Sequence, residues 1–442
     1  MGEILIRGGV LVTVDPAWRV IEGDLLCRAG RIVQVGGEAV PEAGDYEILD
    51  ASGCIVMPGL VQSHVHMCQT LARGRADDLE LLDWLRNVVW PYEGALEAAD
   101  VAAAARLACV ELLRGGTTAV LDMGTVRHTD ALFEAARDAG LRATIGKAMM
   151  DAPDGGHPAT LAESTRASVD ESARLCAQWH GAANDRLRYA YAPRFALSCT
   201  DGLLREVAVE ARARGARIHT HSSENRDEIA LVQKRRGAEN VVYLHEVGLT
   251  GADVGLAHCV WLSKPEREIL RATGTHVLHC PSSNLKLASG VALAPELMAD
   301  GISVSLGADG APCNNNLDGF LEMRLAALVH KPRCGPTAMR APEVVRMATL
   351  GGARALGLDH AIGSLEPDKR ADVIVVEAGG AHVQPTENPY SALVYACRST
   401  DVRHVVVDGA VVVRDKALLT LDAEAVVQDA RARATRVFGR LD

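Results

Sequence analysis

The chain has 442 residues, 48% of them apolar and 23% charged, the composition of a globular protein large enough to hold its core without disulfides or a structural metal. Its net charge of -11 and pI near 5.8 argue against a nucleic-acid partner or an anionic membrane surface. No apolar run approaches the length of a membrane span, no signal peptide opens the chain, and eleven cysteines without C-x-x-C spacing fit reduced thiols in a cytoplasmic protein.

Residues 1–57 read as β-structure. The runs Ile4 to Val14 and Asp24 to Val35 are rich in β-branched residues, broken at Gly8-Gly9 and at Arg28-Ala29-Gly30-Arg31. They are too few to close a sheet alone. Runs of the same character stand at the other end, Ala371 to Val376 and Val402 to Val413, with a turn at Asp408-Gly409. The reading is one small β-sandwich domain built from residues 1–57 and 361–442, flanking a catalytic segment, 58–360. The tail from Asp422 to Gly439 reads as a helix.

The central segment alternates short apolar runs with stretches of helical period. Its predicted strands are Cys54–His66, Thr118–Met123, Ala143–Met149, Leu187–Arg194, Arg217–His221, Val254–His258, His276–His279 and Ser303–Gly307. Eight β–α alternations in about 250 residues imply a (β/α)8 barrel, an α/β fold. A doubly wound sheet would carry a glycine-rich phosphate turn after its first strand, where this chain has His64-Val65-His66. There is no G-x-G, Walker loop, G-x-S-x-G elbow or H-E-x-x-H. The Pro-Cys-x-x-Cys of cytidine deaminases is also missing, since Pro312-Cys313 runs into asparagines.

In such barrels chemistry sits at the C-terminal ends of the strands. The first strand ends in His64 and His66, which face the same side of a strand and suit two ligands of one metal. The fifth ends in His219 and His221, with Glu224 three residues on. The sixth ends in His258, the seventh in His279, and Asp309 follows the eighth. Six of the chain's fifteen histidines fall at these tips.

This pattern resembles the amidohydrolase superfamily, and the resemblance spans nearly the whole chain. Tyr189 to Arg194 offers no lysine, which places the resemblance in the branch with a single metal and no carboxylated lysine. That branch contains purine and pyrimidine deaminases and s-triazine hydrolases. His221-Ser222-Ser223-Glu224-Asn225-Arg226-Asp227-Glu228 and Pro193-Arg194-Phe195 resemble guanine deaminases. Cys280 to Leu287, Asp309 to Asn316 and Glu322 to Ala326 are similar to deaminases of S-adenosylhomocysteine, methylthioadenosine or 5′-deoxyadenosine. Trp90-Pro91-Tyr92-Glu93 falls where that group carries a glutamate holding the ribose hydroxyls, and guanine deaminases also have an acid near this point.

The resemblance implies a role for each residue. One Zn2+, with Fe2+ as the alternative, would be held by His64, His66, His221 and Asp309, and would lower its water's pKa from about 15.7 toward about 7. Glu224 would move protons between water and a purine ring nitrogen. Its competing reading is a helix N-terminal acid behind a Ser222-Ser223 cap. His258 would orient the water, and Asp309 would also accept its proton. His219 reads as barrel interior or support for a ligand, and His279 as a substrate contact or a support. Arg194 would bind a purine edge, a ribose oxygen or a carboxylate through its planar fork, or sit in an ion pair. Trp84 and Trp90 would wall a pocket for a flat base, or pack the core. The implied activity is hydrolytic deamination of a 5′-modified adenine nucleoside to its inosine analogue and ammonia, by a homo-oligomer. Guanine or 8-oxoguanine deamination and s-triazine hydrolysis are the alternatives. A non-catalytic scaffold of this fold would be expected to have lost a ligand or the acid, and none is missing.

Overall fold

The computed structural model describes residues 2–42, 45–152 and 156–441. Met1 and Asp442, which close the two terminal segments of the composite domain, lie outside the described residues. The chain opens with β1 (Glu3–Val12), β2 (Val20–Arg28), β3 (Arg31–Val35), β4 (Tyr46–Asp50) and β5 (Cys54–Pro58). Gly8-Gly9 does not end β1; the register shifts there between Ile6 and Gly9 and the strand continues.

The barrel follows as β6 (Leu60–His66), β7 (Thr117–Met123), β8 (Arg142–Gly146), β9 (Ala148–Met149), β10 (Leu187–Pro193), β11 (Arg217–Ser222), β12 (Val254–His258), β13 (His276–His279), β14 (Val304–Leu306) and β15 (Asp309–Gly310). The chain closes with β16 (Val373–Glu377), β17 (Val402–Val407), β18 (Ala410–Arg414), β19 (Ala417–Leu418) and the helix Ala423–Phe438.

Two sheets result. The barrel strands pair in chain order and in parallel, from β6 through β14. Strand eight is split. β14 pairs β13, and β15 pairs β6 through Asp309↔Val65 and Gly310↔His66, which closes the ring. The seam is held by side chains: Ser63 Oγ donates to Leu306 O at 2.9 Å, and Ala308 N–H donates to Gln62 Oε1 at 2.8 Å. The terminal sheet is continuous across both ends of the chain, because β5 lies parallel to β1 and antiparallel to β16.

The predicted strand Cys54–His66 is therefore two strands in two sheets. Gly59 is the break. A Cβ there would lie 2.1 Å from Thr118 Oγ1, so only glycine lets the chain cross from one sheet to the other. Likewise the predicted Ala143–Met149 divides into β8 and β9. A separate core of Ile4, Ile6, Leu25, Ile32, Leu49, Val373 and Val406 fills the terminal domain. A buried ion network binds the two parts: Arg142 of β8 donates to Asp372 at 2.7 and 3.0 Å and to Asp408 at 3.2 Å. All eleven cysteines are free thiols, ten of them buried. No helix among the described residues is long and apolar enough to cross a membrane.

Candidate active site

β6 slips register against β7 between Gln62 and Val65, and such an irregularity re-aims the side chains beyond it. His64 and His66 then lie on one face, with ring centroids 4.9 Å apart. What each ring's Nδ1 touches sets the tautomer. His66 Nδ1 donates to Met123 O and His221 Nδ1 to Arg194 O, both at 2.7 Å. A carbonyl only accepts, so both rings carry their proton on Nδ1 and a lone pair on Nε2. Those two Nε2 atoms face each other at 3.3 Å.

His64 Nε2 is buried without a hydrogen-bond partner. Asp309 Oδ1 lies 3.3 Å from His64 Nε2 and 3.4 Å from His66 Nε2. Lone pairs and a carboxylate converging in a dry site repel one another unless a cation lies among them. One ligand atom each from His64, His66 and Asp309 falls within 4.8 Å, as does one each from His64, His221 and His258. Such a nitrogen and oxygen donor set suits one divalent metal. His219 Nε2 stands 2.7 Å from His64 Nδ1 and supports that ring from behind. Burial pushes His66 down to about 3, and His219 and His221 well below their ordinary value. They are thus neutral, as ligation requires.

Glu224 sits in the turn between β11 and the helix Arg226–Arg236. The helix cap is Asn225, whose Oδ1 accepts from Asp227 N–H at 2.8 Å, and not Ser222-Ser223. Ser222 still belongs to β11. Freed from capping, Glu224 turns inward. Its Oε2 is 3.5 Å from His258 Nε2, and its Oε1 is buried without a partner. Burial, then Asp309 and Glu228, push its carboxyl well above the ordinary range, so it can carry a proton near neutral pH.

His258 Nδ1 donates to Asn284 Oδ1 at 2.9 Å, leaving Nε2 toward Glu224 and 3.8 Å from Asp309 Oδ2. Asp309 Oδ2 accepts from Ser283 Oγ at 2.7 Å. Ser223, His258 and Asp309 hold left-handed backbone at φ 54, 72 and 64. Non-glycine residues adopt that region only where the surroundings enforce it, and it recurs at functional sites.

His66, His221, Glu224, His258 and Asp309 form one side of a cavity. The other side is apolar: Leu81, Trp84, Leu85, Phe195 and Leu287, with Arg194 and Glu228 also in the lining. Trp84 reaches the cavity. Trp90 is buried against His157, with centroids 6.2 Å apart, which is the packing reading. Glu93 reads as a holder of ribose hydroxyls and Arg194 as a substrate contact or an ion-pair member; the structure pairs the two. Arg194 donates to the two Glu93 oxygens at 2.5 and 3.1 Å, and Gln69 Nε2 donates to Glu93 Oε1 at 2.8 Å. Arg194 stays in the lining while Glu93 stands behind it. His279 is not among the lining residues. Its ring lies against His330, centroids 5.5 Å apart, because it ends β13 on the side facing the helix Gly319–Val329 and the residue that follows it.

Three supporting residues escaped the sequence reading. Ser283, Asn284 and Glu228 lie inside the very segments that carried the resemblance. Glu228 stands four residues after Glu224, and Ser283 and Asn284 follow the end of the seventh barrel strand by four and five residues.

The model of the amidohydrolase family matches residues 55–412. The chain is 38% identical over 444 residues to a 5′-deoxyadenosine deaminase of Methanosarcina mazei, covering 100% of both chains. It is 41% identical over 434 residues to a 5-methylthioadenosine/S-adenosylhomocysteine deaminase of Syntrophobacter fumaroxidans, covering 97% of each. A crystal structure of an adenosine deaminase from Xanthomonas campestris with bound zinc superposes with a TM-score of 0.92 at 32% identity, covering 99% of each chain.

Proposed function

The chain belongs to the amidohydrolase family, and from that premise we propose that it hydrolyses the exocyclic C–N bond of 5′-modified adenine nucleosides, releasing ammonia and the inosine analogue. It is a hydrolase acting on C–N bonds, like its relatives. The observation that carries the reaction reading is the combination in one cavity of a metal donor set and a buried carboxyl. Glu224 Oε2 lies 3.5 Å from His258 Nε2, beside Asp309. Full-length relatives named as deaminases of such nucleosides support it.

His64, His66, His221 and Asp309 would hold the metal. Zinc is the ion we favour, since a zinc-bound neighbour shares the fold and nitrogen and oxygen donors suit it. When bound, the ion supplies Lewis acidity that makes water a nucleophile at neutral pH. The chain's own groups do the rest. Glu224 delivers a proton to a purine ring nitrogen, which leaves the adjacent carbon open to attack. His258, whose Nδ1–H is held by Asn284, presents the Nε2 lone pair to the attacking water and orients it by accepting its hydrogen bond. Asp309 Oδ2, steadied by Ser283, takes the proton that water gives up. The apolar side around Trp84 and Phe195 excludes solvent and stacks the base. The test is ammonia release from a panel of adenine nucleosides and guanine, with chloride release read for a chloro-s-triazine. Turnover of the adenine nucleosides first is expected; turnover of guanine or the triazine alone sinks the assignment.

A further inference from the structure

Every residue lining the cavity except His221 is buried, and Glu224 and Asp309 are only 5% and 4% exposed. A mouth wide enough for a purine nucleoside would leave its rim exposed, so part of the wall must move before one enters. Most of the wall is tied to the chemistry. Leu287 follows the helix Pro281–Lys286, whose Ser283 and Asn284 hold Asp309 and His258 at 2.7 and 2.9 Å. Phe195 follows Arg194, whose carbonyl holds His221 at 2.7 Å. Moving either would displace a group that the reaction needs in place.

The remaining wall, Leu81, Trp84 and Leu85, is built differently. It belongs to a stretch with two fixed feet. The Arg75 guanidinium lies 4.5 Å over the Phe438 ring, and Tyr92 stacks on the same ring at 5.7 Å while its hydroxyl donates to Cys68 O at 2.7 Å. Between the feet, residues 77–88 make one short helical turn that runs into a wider one. Among the described residues, their backbone hydrogen bonds stay within the stretch and the turn that follows it, and Asp77 is their one side chain in a hydrogen bond or ion pair. Asp77 Oδ1 accepts from Lys286 Nζ at 2.5 Å and from Asn315 Nδ2 at 3.2 Å, on the loops that follow the seventh and eighth barrel strands. The rest of the hold is apolar packing, chiefly of Leu81, Trp84 and Leu85. Gly74 and Asp78 take left-handed backbone at φ 70 and 60, with open space around Gly74.

We propose that residues 77–88 are a lid, which swings off the barrel at Gly74 and Asp78 to admit substrate and closes with Asp77 clasped to Lys286 and Asn315. A segment with so few hydrogen bonds to its surroundings opens without unfolding the rest. Lids of this kind seal a reaction from solvent and gate entry and release. The lid follows from the cavity itself; its place in turnover rests on the deaminase reading above.

The clasp supplies the test. Asp77→Cys and Lys286→Cys are combined and bridged by an ethane bis-methanethiosulfonate, a short linker that reductant cleaves, with bridging confirmed by mass. In the metal-loaded full chain, bridging abolishes ammonia release from 5′-deoxyadenosine and reductant restores it. The parent and each single-cysteine variant, treated alike, stay active. A bridged protein that still turns over, a loss that reductant does not reverse, or the same loss in a single variant overturns the lid. If no preparation deaminates an adenine nucleoside, the deaminase reading falls and hydrogen exchange decides the lid. Bridging then slows the amides of residues 82–89 and leaves those of the helix Pro281–Lys286 unchanged; equal exchange at 82–89 before and after bridging overturns it.

Discussion

Glu224→Gln separates proton transfer from everything else the site does. Glutamine keeps the shape of the side chain, and Glu224 is not one of the four proposed ligands, so ion and cavity are retained. General acid–base catalysis contributes about 10²- to 10⁴-fold, and at about 1.4 kcal/mol per decade its loss costs roughly 3–5 kcal/mol of transition-state stabilisation. Stability moves differently. Glu224 Oε1 is buried without a partner, and burial holds the folded-state pKa above the ordinary value of 4.5. An acid raised in this way is a cost to folding once pH exceeds its unfolded-state value, because the unfolded chain ionises more freely. The amide removes that cost, so the melting temperature of the variant equals or exceeds that of the parent at pH 7. Steady-state kinetics with 5′-deoxyadenosine, metal content by elemental analysis and scanning calorimetry read the three quantities. A kcat within a factor of about three of the parent, or loss of the metal, would refute the reasoning.

Three further outcomes follow from the supporting contacts. Asn284→Ala leaves His258 Nδ1 without its acceptor, and kcat falls about ten- to a hundredfold with KM little changed; an unchanged kcat would show that His258 needs no such support. Arg194→Met strands a buried Glu93 and costs about 3–5 kcal/mol in urea unfolding, most of it recovered by adding Glu93→Gln; a single variant no less stable than the double contradicts the pairing. Glu322, buried between Ser282 and Asn314, is pushed up by burial to about 7 from 4.5. Its contribution is full below about pH 4.5 and is lost as pH rises to about 7, roughly 3 kcal/mol in all, so Glu322→Gln flattens that part of a stability-against-pH curve. A curve of the same slope in parent and variant rules Glu322 out as its source.

The clustering of the residues proposed to hold the metal was to be expected because strand geometry is local: His64 and His66 share a face by the period of two, and His221 and Asp309 stand at tips of runs that alternate regularly with helices. The sandwich from both termini was legible for the same reason, as repeated β-branched runs. What was hidden depends on contacts across the fold. The break at Gly59 is dictated by Thr118, and the two halves of strand eight by partners on opposite sides, His279 with Leu306 for one and Val65 for the other. Arg194 read as a substrate contact or an ion-pair member, and its partner Glu93 stayed hidden, since nothing local shows that residues 101 apart will neutralise one another. The capping of the helix after β11 turned on Asn225 rather than on the equally eligible Ser222 and Ser223, because β11 runs on through Ser222.

The central claim is a single metal held by His64, His66, His221 and Asp309, acting with Glu224 on an adenine nucleoside. The direct measurement is ammonia released from 5′-deoxyadenosine while zinc is titrated into metal-free protein. The account predicts that activity rises linearly and breaks at one equivalent of zinc, with the His221→Ala protein inactive throughout. A break at two equivalents, or no ammonia at any zinc level, contradicts it.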